Sequence, residues 1–440
     1  MAASPSLMEP SLEANKLSYE IFSILESRFL FGYDDTKLFN TGSSPETPTK
    51  TLSPGKVRIL SIDSSSDGFL AAASLARLES DLQHQTGDPA ARIADFFDVA
   101  AGSGAGGLLA ALLFTRGPDG RPVFTAEEAL CYLLKKGSAC ASAAGRKGLF
   151  RRLFPKSGGG IFRKVFGDAT LRDTLKPVLI PCYDLITGAP FLFSRADAVE
   201  ADAYDFLISE ICAATCSGSG AKKMKSVDGR TRISSVGSGL AMPNPAAAAI
   251  THVLHNKQEF PFTSGLEDLF VLSLGSGEPD FAGGNTSPST AEVVRIAANG
   301  TSDMVDQAIA LAFGQHRASN YVRIQAHGLG LLTPKESTAA GRVWKKTSKG
   351  VEEILGQRNG ESVLFQGRRL SKETNGEKLS SLAGELIKER ETRSRSPIPT
   401  VVIKQSVSPR TSSATTATTS TSSVTATTAS TGRSFGSPPR

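Results

Sequence analysis

Residues 102–107 read Gly-Ser-Gly-Ala-Gly-Gly, set between the apolar run FFDVAA and the helix-like LLAALLF. Two chemistries use a glycine turn between a strand and a helix. One is dinucleotide binding, for which the string G-x-G-x-x-G is a weak fingerprint without its context. That context needs a second strand about 20 residues on, ending in an acid that holds a ribose. Here RGPDGRPVFTAEEALCYLL follows instead, a loop leading into a helix. The other chemistry is a nucleophile elbow, G-x-S-x-G, where a sharp turn lifts a serine onto the amino end of a helix. Gly104 then stands at the serine position, flanked by Gly102 and Gly106. The plain alternative is that the glycines only make a tight turn.

The elements that must position this turn are legible on either side. The run VRILSID at 57–63 is short, apolar and β-branched, and reads as a buried strand before the helix-spaced FLAAASLARLESDLQ. Strand, turn and helix then repeat at residues 96–114, which predicts a parallel sheet with crossovers. Later strands are expected at 178–185 (VLIPCYDL), 269–277 (LFVLSLGSG) and 321–325 (YVRIQ). Leu17, Ile21, Ile24, Leu25 and Phe29 share a helical face near the start. The expected divisions are an N-terminal helical segment (1–33), a Pro/Ser/Thr linker (34–56), a main domain (57–390) and a tail (391–440). Of the last 30 residues, 18 are Ser or Thr, a composition that predicts disorder.

Composition bounds the function. The 440 residues are 40% hydrophobic, enough for a sizeable core, and carry a net charge of +6. The five cysteines are odd in number and lack zinc-finger spacing, so reduced thiols in an intracellular protein are expected. No HExxH pattern occurs among the five histidines, and His252 and His255 read as helix-packing residues, so no metal site is expected. Neither a signal peptide nor an apolar run of about 20 residues is visible. A cytoplasmic protein, or one peripheral on an inner membrane surface, is the expectation.

Residues 129–167 are distinct: nine basic residues, no acid, and Phe150, Phe154 and Phe162 interleaved. This is either a solvated loop or a contact surface for anionic lipid, with Lys135, Lys136, Arg146, Lys147, Arg151 and Arg152 facing headgroups and the aromatics inserting.

Three blocks resemble the patatin-like family in order and spacing: RILSIDSSSDG at 58–68, ADFFDVAAGSGAGGLLAALL at 94–113, and SSVGSGLAMPNPAAAAITHVLHNKQEFPF at 234–262. The resemblance runs from about residue 15 to about 390. It implies a three-layer α/β/α fold with a parallel-rich sheet and helices on both faces. It also implies acyl-ester hydrolysis of membrane glycerolipids, phospholipids and galactolipids, with no cofactor and no nucleic acid. Within the family this chain is most like the plant subgroup with glycine in place of the elbow serine.

Such chemistry needs a serine nucleophile, an aspartate to take its proton, and backbone amides for the oxyanion. By the resemblance these positions hold Gly104, Gly237 and the loop Ser64-Ser65-Ser66, where the family has glycines. Three residues are possible stand-ins: Ser103 beside the elbow, Asp228 in the nearest Asp-Gly pair, and Asp63 at the end of the first strand. Two functions stay open: a weak lipid acyl hydrolase acting through a substitute group or an activated water, and a catalytically silent lipid-binding or regulatory protein. A dinucleotide enzyme is a distant third.

Overall fold

The computed structural model describes residues 55–64, 68–141, 159–217, 220–237, 239, 241–277, 290–326, 349–363 and 367–404. The chain divides into two compact units, Met1–Leu52 and Ser53–Arg440. All described residues lie in the second, so the helical segment expected before residue 33 lies outside them, as do Ser65, Ser66 and residues 405–440.

Every residue of β1 (Val57–Ile62) is buried, including Arg58, whose charge is paired with Asp98. Its side chains alternate between two cores. Leu60 and Ile62 pack with leucines of α1 (Phe69–Thr86) and α2 (Ala105–Phe114) on one face. Val57 and Ile59 pack with Ala246, Ala249 and Val253 of α6 (Ala246–His255) and Ile309 of α7 (Thr290–Phe313) on the other. This two-sided burial makes three layers, the α/β/α arrangement expected from the sequence.

The central sheet runs β5-β6-β3-β2-β1-β7-β8, with β4 paired to β3. The parallel strands are β1, β2 (Val99–Gly102), β3 (Val178–Asp184), β7 (Leu269–Leu274) and β8 (Tyr321–Ile324). β4 (Ala189–Ser194) fills one edge of β3 along its length. The other edge is shared. β2 pairs with Val178 and Leu179, and β6 (Arg232–Gly237) pairs with Cys182 to Asp184. β6 therefore takes the place beside β3 that β2 gives up when it turns into the elbow, and Gly237 arrives just past that turn. β5 (Lys222–Lys225) is paired outside β6.

Two sequence expectations change. Phe162 is buried, not an exposed lipid-facing ring: α4 (Gly159–Phe166) turns Phe162 and Phe166, one helical turn apart, into the core. The fold also continues past residue 391. α8 (Asn375–Arg395), opened by a capping box of Thr374 and Glu377, carries Arg393 to a buried ion pair with Asp98 at 2.7 Å. Beyond it Lys404 N donates to Glu259 Oε1 at 3.3 Å, and Arg195 Nη2 donates to Lys404 O at 2.8 Å. Of the basic segment, Lys135 and Lys136 lie in α3 (Ala126–Ala141), while Arg146, Lys147, Arg151 and Arg152 lie outside the described residues.

Candidate active site

The elbow is present as backbone. Gly104 takes φ 56° and ψ −125°, a conformation costly to any residue with a side chain, and α2 begins at Ala105. Helix and strand meet so closely that a Cβ on Gly102 would lie 2.2 Å from Gly106 O. The parallel register sets what faces the turn. Ile62 pairs with Gly102, so the two residues after each strand, Asp63-Ser64 and Ser103-Gly104, leave the sheet side by side. Ser103 N donates to Ile62 O at 3.1 Å, and Ser64 N to Pro243 O at 2.7 Å.

The elbow peptide is gripped from the end of α5 (Ile208–Thr215). Gly104 N donates to Thr215 Oγ1 at 2.9 Å, and the Cys216 thiol donates to Gly104 O at 3.3 Å. Neither contact could be read from the sequence, since more than 100 residues separate the partners. The segment ICAATCSG offered only the Cys212/Cys216 spacing as a hint.

Each position that lacks its family side chain is occupied by something else. A Cβ on Gly104 would lie 2.6 Å from Ser64 Oγ, and one on Gly239 would lie 3.1 Å from the same oxygen. A Cβ on Gly237 would lie 2.0 Å from the backbone oxygen of Ser217. The nucleophile space thus holds a hydroxyl from another loop, and the acid space holds main chain.

The stand-ins are distributed unevenly. Ser103 is fully buried. Asp228 shapes the turn between β5 and β6: Ser226 Oγ donates to its Oδ1 at 2.6 Å and Arg230 N at 3.0 Å. All of β6, roughly 16 Å at about 3.3 Å per residue, separates that turn from Gly237, so the structure does not bring Asp228 to the elbow.

Asp63 is close in sequence but faces the other side of the sheet. Its Oδ2 accepts from Arg323 Nη2 and from Ser302 Oγ, each at 2.6 Å. Arg323 also donates to Ser273 Oγ at 2.7 Å and lies 3.8 Å from Asp306, which accepts from Tyr321 Oη. Burial works against the Arg323 charge, but Asp63 and Asp306 overrule it and hold its pKa above the ordinary range. Asn244 ties the Asn-Pro turn into this cluster, donating to Ser302 O at 3.3 Å. Asp63 is therefore committed to an ion pair that braces the loops around the elbow.

Other reactive types are quiet. Burial pushes the Cys182 thiol up to about 12, so it stays protonated at neutral pH. His252 is half-buried and packs its ring edge against Phe260, in the packing role its helix suggested. Among the described residues no cluster of His, Cys, Asp or Glu could hold a metal ion, and no helix is long and apolar enough to cross a membrane. A cavity of about 820 Å³ lies beside β8, lined by Arg317, Tyr321 and Arg323 with Glu361, Lys378 and Glu385; no elbow residue lines it.

Comparison with known proteins shows the family. A sequence profile of the patatin-like phospholipase family matches residues 66–250, which include the elbow and Gly237. The chain is 52% identical over 391 residues to Patatin-like protein 3 of Oryza sativa subsp. indica, covering 86% of this chain and 92% of that one. It is 47% identical over 455 residues to Patatin-like protein 6 of Arabidopsis thaliana, covering 93% and 91%. A third relative, 40% identical over 395 residues with 86% and 93% covered, is named Probable inactive patatin-like protein 9 of Arabidopsis thaliana. With this identity sustained over nearly the whole length of its relatives, the chain belongs to the patatin-like protein family.

Proposed function

We propose that this chain is a lipid acyl hydrolase acting on membrane glycerolipids, slow because the Ser–Asp pair of its family is replaced by Gly104 and Gly237. The observation that carries this reading is the elbow backbone. Gly104 keeps an elbow's φ and ψ at the amino end of α2, where an ester oxygen developing negative charge is favoured. A glycine adopts this turn without the roughly 1–3 kcal/mol that it would cost a residue with a side chain. Binding and oxyanion stabilisation alone leave residual catalysis of roughly 10³–10⁴-fold over water when a triad member is lost. Phospholipid and galactolipid are the expected substrate classes. The basic residues of the 129–167 segment are the proposed headgroup contact, acting from a peripheral position on the membrane.

A second reading is a silent lipid-binding homologue. The backbone oxygen that fills the acid position at Gly237 favours it. Purified full-length protein mixed with phosphatidylcholine or galactolipid vesicles decides between the two. Fatty-acid release above a protein-free blank supports the hydrolase. Vesicle binding without release supports the silent protein and removes the enzyme reading.

A further inference from the structure

We propose that Ser64 is the hydroxyl that attacks the acyl ester, delivered to the elbow by the loop after β1 in place of a side chain at residue 104. The inference rests on the hydrolase reading above. Three observations carry it.

The first is position. Ser64 Oγ lies 2.6 Å from where a Cβ on Gly104 would sit, so it occupies the volume of an elbow side chain. The second is access. Ser64 is half-buried, whereas Ser103 and Thr215 are buried and Thr215 Oγ1 already accepts the Gly104 amide. Among the described residues Ser64 Oγ has no hydrogen-bond partner, so no internal bond must break before it meets a substrate carbonyl. The third is support. The Ser64 amide is pinned to Pro243 O, and the neighbouring Asp63 is locked to Arg323 and Ser302 on the opposite face. The loop that presents the hydroxyl is thereby held at both residues.

The step balances with water alone as co-reactant. Ser64 Oγ forms a bond to the acyl carbon while the carbonyl oxygen faces the amino end of α2. The hydroxyl proton passes to a solvent water on the open side. Collapse breaks the ester C–O bond, and the departing glycerol oxygen takes a proton from that water. A second water then cleaves the Ser64 acyl ester, releasing the fatty acid and restoring the hydroxyl. No carboxylate or imidazole among the described residues bonds to Ser64 Oγ, which accounts for a slow reaction.

The test uses the full chain and phosphatidylcholine vesicles. Ser64→Ala should lower fatty-acid release by about a hundredfold or more, the scale expected when a nucleophile is lost, with an unchanged melting temperature. Peptide mapping after a fluorophosphonate probe should find the adduct on Ser64 in the parent and lose it in the variant. Ser64→Cys provides the second arm: its release should persist and become sensitive to iodoacetamide, while the parent's does not. Release by the parent that Ser64→Ala retains, or an adduct on another residue, overturns the assignment of Ser64 and leaves the hydrolase reading standing. No release by the parent overturns the hydrolase reading itself, and Ser64 with it.

Discussion

Thr215 and Gly104 are joined by a hydrogen bond of 2.9 Å, in which the glycine's amide donates to the threonine hydroxyl. The elbow is therefore held by the end of α5 as well as by its own turn. Thr215 is buried, so removing its oxygen strands a buried N–H at a cost of about 1–3 kcal/mol. Thr215→Val should lower the melting temperature by several degrees, and Thr215→Ser should restore most of it. Thermal unfolding followed by circular dichroism measures both, and equal melts for the two variants would remove the clamp from the account.

Rebuilding the missing pair should fail in a specific order. Gly104→Ser places a Cβ against Ser64 Oγ and a side chain at φ 56°, so it should be destabilising by about 1–3 kcal/mol. Adding Ser64→Gly should recover part of that loss. Gly237→Asp meets a backbone oxygen rather than a movable side chain, and should cost more than Gly104→Ser, with no second-site change at residue 64 helping. Chemical denaturation of the three single and double variants gives the ranking; a Gly237→Asp protein as stable as the parent would contradict it.

The anchor of α8 predicts a large effect far from the elbow. Asp98 accepts from Arg58 N at 2.8 Å and from Arg393 Nη1 and Nη2 at 2.9 and 2.7 Å. Burial pushes its pKa up, but the two arginines overrule this and hold it well below the usual carboxylate range. A depressed carboxylate contributes stability above its unfolded value of 3.8 and loses it as pH falls through the lower folded value. Asp98→Asn leaves two buried guanidiniums facing a neutral group and should cost about 3–5 kcal/mol. The readout is the denaturation midpoint at pH 7, where a shift under 1 kcal/mol would defeat the prediction.

His252 predicts a loss of stability at milder acidity than Asp98 does. Burial alone lowers its pKa from 6.5 to about 4, and its Nε2 has no hydrogen-bond partner among the described residues. The unfolded chain then binds the proton more readily, so stability falls as pH drops from about 6.5 to about 4 and levels off below. The shift corresponds to at most about 3 kcal/mol, at roughly 1.4 kcal/mol per unit. Melts of the parent at pH 7 and pH 4.5 should differ by more than those of His252→Phe, and identical slopes would count against it.

The sequence displays some of this and conceals the rest for physical reasons. β1, β2, β3, β7 and β8 are legible because strands buried on both faces are mostly apolar, with Arg58 and Arg323 the charged exceptions that ion pairs absorb. β5, β6 and the strand Gly367–Thr374 read KKMK, RISSVG and GRRLSKET, polar strands whose pairing is set by partners and not by their own pattern. Gly104 and Gly237 were readable as gaps, because the motif around each survives. What fills the gaps was not: Ser64 read as an oxyanion-loop backbone, and its hydroxyl reaches the elbow only through the Ile62–Gly102 register. Asp228 read as a stand-in acid because an Asp-Gly pair looks alike in a site and in a turn, and here it closes a hairpin. The burial of Phe162 was within reach, since Phe162 and Phe166 stand four apart with Arg163 and Lys164 between them.

The contacts of Lys404 have a practical side. Arg195, which holds Lys404 O, follows Ser194, the register partner of Leu179 near the start of β3. Glu259, its other partner, precedes the start of β7. Lys404 consequently lies at the end of the sheet opposite the elbow. A fluorophore or affinity handle carried at residue 404 would sit at the end of the sheet away from the elbow, which suits that position to surface-binding measurements.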